Sequence, residues 1–241
     1  MTPIGVAAAQ ILARPAPVIV FDTCSLIDLF RSNRTRSRPV LDELQAAAEL
    51  FQLVATNPSS VHLVVPELVP GEFSDSAANV MGTFAEWFRS HDDDQDWLSG
   101  AASQFGVARP LPVSIVPSGI ATACRQLADD LLAAATVLAR DQACLDRAVV
   151  RVVQKRQPSR DGRIKDAMNL EQSLDLSRRL GHAAYPYDRV FISSNTSDFA
   201  AAATSTNPHP DIADELAAAG LGYFTSIRAA VGRLRAAGQL P

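Results

Sequence analysis

The chain has 241 residues, 47% of them hydrophobic with aromatics at only 6%, and a formal net charge of −4. That length suits one α/β domain with an insertion, and the alanine-rich, aromatic-poor composition favours a helix-rich fold over a β-sandwich or a disordered chain. Cys24, Cys124 and Cys144 show no Cys-x-x-Cys spacing, so neither a disulfide framework nor a zinc ribbon is expected, and a reducing cytoplasm is the expected location.

Residues 1–13 read as an N-terminal lead-in. Their apolar stretch lacks a basic n-region and is followed by Arg14, Pro15 and Pro17, so no signal peptide is expected; no apolar run is long enough for a membrane span. Val18 to Phe21 is a short buried strand that leads directly into Asp-Thr-Cys-Ser and an apolar turn of helix. A polar loop from Arg31 to Arg38 follows, then a helix whose apolar positions fall at Leu41, Leu44, Ala48 and Phe51. Val61 to Val65 is a second strand, closed by Pro66.

From Pro66 to about Ser90 the spacing is helical, and Pro70 and Gly71 set the start near Glu72. Asp92 to Asp96 reads as a solvated loop, and Arg109 to Pro117 as a Pro-rich strap. Ile120 to about Gln154 holds no Pro or Gly and is expected to be the longest helix. A further helix runs from Ile164 to Leu180, with Gly181 as its C′ residue. Arg189 to Ser193 and Leu221 to Thr225 are the remaining strands, with a terminal helix to about Ala237. Strands alternating with helices predict a parallel sheet covered on both faces. The expected organisation is one domain over 14–241 with a helical insertion at about 75–156.

In open α/β sheets ligands bind at the carboxyl ends of strands. Asp22 follows the first strand at once, in a position where it serves either as a helix N-cap or as a functional acid. Glu72 and Asp166 open helices, where acids favoured by the helix dipole are commonplace. Asp198 lies in the polar turn Ser193-Ser194-Asn195-Thr196-Ser197-Asp198 after the third expected strand. Four acids at two strand ends and two helix starts would repel one another unless a cation neutralised them. A hard divalent ion, Mg²⁺ or Mn²⁺, held by oxygen ligands is the natural neutraliser, and such ions promote phosphodiester hydrolysis.

The net negative charge argues against a nucleic-acid partner, but its distribution is uneven. Seven cations lie between Arg147 and Lys165, and Arg31, Arg34, Arg36 and Arg38 form a second group. Arg156, Arg160, Arg163 and Lys165 lead directly into Asp166 and are expected to guide nucleic-acid phosphates toward the metal.

Val-Phe-Asp-Thr-Cys-Ser-Leu-Ile-Asp-Leu, Val-Pro-Glu-Leu-Val-Pro-Gly-Glu-Phe, Lys-Asp-Ala and Phe-Ile-Ser-Ser-Asn-Thr-Ser-Asp-Phe, in this order, resemble the PIN-domain nucleases. That fold includes the VapC-type toxins, and the likeness is greatest to larger bacterial PIN-like proteins; the four segments span residues 18–199. The resemblance implies a three-layer α/β/α sandwich and an endoribonuclease using one or two Mg²⁺ or Mn²⁺ ions. Asp22 would be the central ligand and Glu72, Asp166 and Asp198 the other acids, with Thr23, Ser193 and Asn195 supporting them. Many PIN domains carry Asp where Asn195 stands here, with the next acid two residues later, whereas Asp198 is three residues on. Implied partners are an RNA substrate, an antitoxin-like protein and a second copy of the chain.

Other signals are set aside. Glu171 lies five residues after Asp166, about 140° around a helix, and faces elsewhere. Glu67 competes with Glu72, which opens the clearer helix. His91 with Asp92, Asp93 and Asp94 cannot all face one ion, and Cys24 reads as packing rather than a nucleophile. Haloacid-dehalogenase-like phosphatases also begin with a strand and an Asp, but need a second Asp where Cys24 stands. A degenerate PIN-like module that binds RNA or a protein without cutting is the non-enzymatic alternative.

Overall fold

The computed structural model describes residues 1–31, 37–106 and 119–241, with the backbone alone at 37–40. Arg34, Arg36, the Arg38 side chain and the Pro-rich stretch 109–117 lie outside the described residues. The elements run α1 (Ile4–Ala13), β1 (Val18–Phe21), α2 (Thr23–Ile27), α3 (Ser37–Thr56), β2 (His62–Val65), α4 (Val69–Gln104), α5 (Ile120–Ala134) and β3 (Thr136–Val137). After them come α6 (Gln142–Val153), α7 (Ile164–His182), β4 (Arg189–Ile192), α8 (Thr196–Phe199), α9 (Pro210–Ala219), β5 (Leu221–Phe224) and α10 (Ile227–Ala236).

The five strands form one sheet in the order β3-β2-β1-β4-β5, and every pairing is parallel. Parallel strands are buried on both faces, which is why β1 is the unbroken apolar run Val-Ile-Val-Phe. Ile19 and Phe21 pack on one side with Leu63, Val65, Val190 and Ile192, under α2, α3, α4, α5 and α10. Val18 and Val20 pack on the other with Val64, Phe191, Leu221 and Tyr223, under α1, α6, α7 and α9. Helices thus cover both faces, an arrangement compatible with three α/β/α layers.

From β1 the chain moves through β2 to the β3 edge, then returns to the opposite side of β1 as β4. The order therefore reverses between β1 and β4. That switch point leaves a crevice beyond their carboxyl ends, where ligands bind in sheets of this kind.

Four strands lie where the sequence places them, and other expectations are corrected. Residues 1–13 are not a simple lead-in: Ile4, Ala7, Ala8 and Ile11 have the spacing of one helical face and are buried as α1. The Thr2 amide donates to the Val137 carbonyl at 2.8 Å, and the Ala139 amide donates to the Thr2 carbonyl at 2.8 Å. The expected helix from 120 to 154 is interrupted, because β-branched Thr136 and Val137 pair with β2. Asp141 then caps α6 by accepting from the Cys144 amide at 3.0 Å. This edge strand lies within the span read as a helical insertion.

Helix α4 begins at Val69 with Pro70 in its first turn, where no backbone N–H is required, and it continues through Asp92–Asp96 as helix rather than loop. Gly181 lies inside α7, without positive φ, and the C-cap is Ala183. Helix α7 is buried over most of its circumference, so its polar side chains find specific partners. Gln172 accepts from the Glu67 amide at 2.8 Å and donates to the Ala139 carbonyl at 3.0 Å, and Ser177 donates to the Ala219 carbonyl at 2.8 Å.

Candidate active site

Asp22 stands at the end of β1 in the N-cap position of α2, with extended φ of −86° and ψ of 158°, yet its side chain caps nothing. Ser25 instead donates its hydroxyl to the Asp22 carbonyl at 2.6 Å. The Asp22 carboxylate, 1% exposed, is held from two sides: Asn169 Nδ2 donates to Oδ1 at 3.0 Å and Ser193 Oγ donates to Oδ2 at 2.7 Å. Burial pushes its pKa up to about 6; those two bonds oppose the shift and the charge of Glu72 adds to it.

Asp166 lies in the first turn of α7. Its carboxyl is pushed up to about 7, first by burial, then by the negative charges of Asp22, Asp198 and Glu72, with Arg163 opposing. Glu72 occupies the first turn of α4; Thr23 Oγ1 donates to its Oε2 at 2.7 Å and Lys165 Nζ stands 3.6 Å from its Oε1. Asp198 accepts from Asn195 Nδ2 at 2.7 Å, and Asn195 Oδ1 accepts from Ser197 at 2.7 Å, so Asn195 ties the α8 turn together.

Asp22, Glu72, Asp166, Thr23 and Asn195 line one cleft of about 560 Å³. Asp198 is not among the lining residues, though its charge is felt at Asp166. Cys24 and Ile27 form part of the wall. Burial pushes the Cys24 thiol up to about 12, so it remains protonated and is no nucleophile. Glu72, and not Glu67, reaches the cleft; Glu67 is paired with Arg140 at 2.9 Å.

The donor set is one of hard carboxylate oxygens, and among the described residues neither Asp22 nor Asp166 has an ion pair. That chemistry fits a divalent ion such as Mg²⁺ or Mn²⁺. Among the described residues, however, no three acidic, histidine or cysteine side chains stand as a ready-made metal-binding group. The carboxylates are near enough to repel but are not drawn into a common ligand shell.

The cations divide into two sets. Arg147 and Arg151 pair with Glu171 at 2.8 and 2.6 Å, Arg147 reaches Asp175 at 3.2 Å, and both Arg151 and Arg156 contact Glu215. Arg151 and Glu171 are each 3% exposed, so Glu171 faces this buried network and not the cleft, as its helical spacing requires. Arg156 is committed to the network, and Arg160 is exposed but outside the cleft lining. Arg163 and Lys165 do line the cleft, together with Arg31. Arg163 pairs with Asp161 at 2.7 Å and Arg31 with Asp28 at 3.0 Å, pairs that are partly solvent-exposed and weak. His91 stacks on Trp87 with ring centroids 5.8 Å apart.

Sequence reasoning missed Asn169. It lies three residues after Asp166, hence on the same side of α7, and that spacing is the signal that could have found it. Asp75 and Ser76, one turn beyond Glu72, also line the cleft unforeseen. No family model, curated protein or solved structure matches the chain.

Proposed function

We propose that this protein is a divalent-metal-dependent endoribonuclease of the PIN-like type, hydrolysing RNA phosphodiester bonds in the cleft beyond β1 and β4. The observation that carries the reading is the pairing of Asp22 and Asp166. They come from a strand end and a helix start, share one cleft, and are held near pKa 6 and 7 with no ion pair among the described residues. A fold gains nothing in stability from unneutralised buried carboxylates, whereas a metal site needs them.

Asp22, Glu72 and Asp166, which line one cleft without forming a ready-made ligand shell, would have to draw together to hold the ion, with Asp198 acting through Asn195 at the edge. When bound, Mg²⁺ or Mn²⁺ supplies an activated water and stabilises the charge that develops on the phosphodiester. Ser193 and Asn169 keep Asp22 oriented, and Thr23 keeps Glu72 turned toward α2. Arg163, Lys165 and Arg31 at the cleft attract the phosphate backbone and align it, which accounts for RNA binding by a chain of net negative charge.

The test is incubation of purified wild type and Asp22→Asn with total RNA in Mn²⁺, with a chelator control and sequencing of new ends. Wild type is expected to generate ends that Asp22→Asn and the chelated sample lack; equal cleavage by wild type and variant rejects the reading. A second reading, a catalytically weak PIN-like module that binds RNA or a protein, is favoured by the Asn195–Asp198 bond, which commits one Asp198 oxygen to the protein. Its signature in the same experiment is metal-independent RNA retention with no new ends. Under either reading, an antitoxin-like partner and a second copy of the chain are partners to be sought by co-purification.

A further inference from the structure

We propose that Asn169 is a positioning residue for this site, whose side-chain amide locks the plane of the Asp22 carboxylate to the helix that carries Asp166. The inference rests on the metal-site reading above and deepens it.

Rotation about the bond to a carboxylate is soft, so a single hydrogen bond leaves its plane free to swing. Asp22 is gripped at both oxygens, from β4 by Ser193 at 2.7 Å and from α7 by Asn169 at 3.0 Å. The two anchors sit on different elements, so together they fix the plane. An ionised carboxylate has about four acceptor directions. These bonds and the Thr23 backbone amide take up to three of them and leave the remainder for a ligand in the cleft that Asp22 lines.

The three-residue spacing puts Asp166 and Asn169 on one side of α7. The register of that helix therefore sets the Asp166 carboxylate directly and the Asp22 carboxylate through the amide. Two acids from distant parts of the chain are thereby kept in a fixed mutual relation, which a shared ion requires.

A purely structural role fits Asn169 poorly. The residue is fully buried, and its Oδ1 has no hydrogen-bond partner among the described residues. An unsatisfied buried acceptor is destabilising, and an apolar side chain of similar volume would fill the space without it. What Asn169 provides and leucine does not is the donor aimed at Asp22.

Asn169→Leu separates the two roles, read by the unfolding midpoint of metal-free protein and by Mn²⁺ affinity of the folded protein in calorimetry. The midpoint is expected to fall by no more than that of Ser193→Ala, which also removes one donor from Asp22, while Mn²⁺ affinity falls about 10- to 100-fold, the usual loss when a group orienting a metal ligand is removed. For RNA cleavage, kcat falls with KM little changed. Wild-type Mn²⁺ affinity in the variant overturns the proposal, as does a lowered midpoint with unchanged affinity. Should the leucine variant not fold, Asn169→Ala is read against the same affinity criterion; failure of both to fold makes Asn169 a stability residue and overturns the proposal. A wild type that takes up no Mn²⁺ overturns the metal-site reading and this inference together, an outcome distinct from equal uptake by wild type and variant.

Discussion

The hydroxyl of Ser193 and the carboxylate of Asp22 meet at 2.7 Å although 171 residues separate them in the chain. They meet because β1 and β4 are parallel neighbours in register from Val18↔Arg189 to Phe21↔Ile192, so the residues just beyond each strand emerge side by side.

Ser193→Ala removes one of the two side-chain donors from a buried carboxylate. The expected cost is about 1–3 kcal/mol of unfolding free energy. It should be larger above pH 7, where Asp22 is ionised, than at pH 5, where it is protonated. Urea unfolding at both pH values measures this, and Ser193→Thr, which keeps a hydroxyl, is expected to recover most of the loss.

Asp22 and Asp166 are raised from 3.8 to about 6 and about 7. A group whose folded pKa lies above its unfolded value contributes stability that is full below the unfolded value and lost as pH rises through the folded one. A tenfold change in proton affinity corresponds to about 1.36 kcal/mol, and the two acids share part of one mutual repulsion, which is counted once. Metal-free protein is therefore expected to lose several kcal/mol, on the order of 3–6, between pH 4 and pH 8. Denaturation midpoints across that range, in chelator, test it. Asp22→Asn should flatten the fall, and a midpoint that climbs steadily to pH 8 would contradict it.

Arg151 and Glu171 form an ion pair at 2.6 Å with both side chains 3% exposed. Removing one partner strands a charge in the interior, so Arg151→Met is expected to cost about 3–5 kcal/mol. Glu171 retains Arg147, which places the effect toward the lower end of that range. The double variant Arg151→Met with Glu171→Leu should recover part of the loss, as thermal unfolding of the three proteins would report.

At the cleft, Lys165→Glu and Arg163→Glu are expected to weaken binding of single-stranded RNA and to lower the slope of its salt dependence by about 1 for each phosphate no longer neutralised. Arg160→Glu, outside the cleft lining, should have the smaller effect. Fluorescence anisotropy across a salt series decides this, and a greater loss from Arg160→Glu would move the RNA path away from the cleft.

Much of this architecture is legible in the sequence because the central strands are short apolar runs with clear ends. Val18–Phe21 is followed by an acid and His62–Val65 by a proline. Strand β3 is not legible, since Thr136 and Val137 sit in a stretch without Pro or Gly and become a strand only through pairing with β2. Arg156 reads as a phosphate guide because sequence alone does not say that Glu215 awaits it. Asn169 is silent for the same reason: its donor has meaning only beside Asp22, 147 residues away. Acids at strand ends announce themselves, whereas the neutral side chains that orient them depend on tertiary contacts.

The two backbone bonds of Thr2 have a bearing on self-association. β3 is the outermost strand on its side, and an unpaired edge of that kind is a template onto which another chain can add as a further strand. Thr2 takes the outward-facing carbonyl of Val137 and amide of Ala139 for itself. The polypeptide thus supplies its own blocker, and a second copy joining by strand addition at that border would first have to peel away the residues ahead of α1.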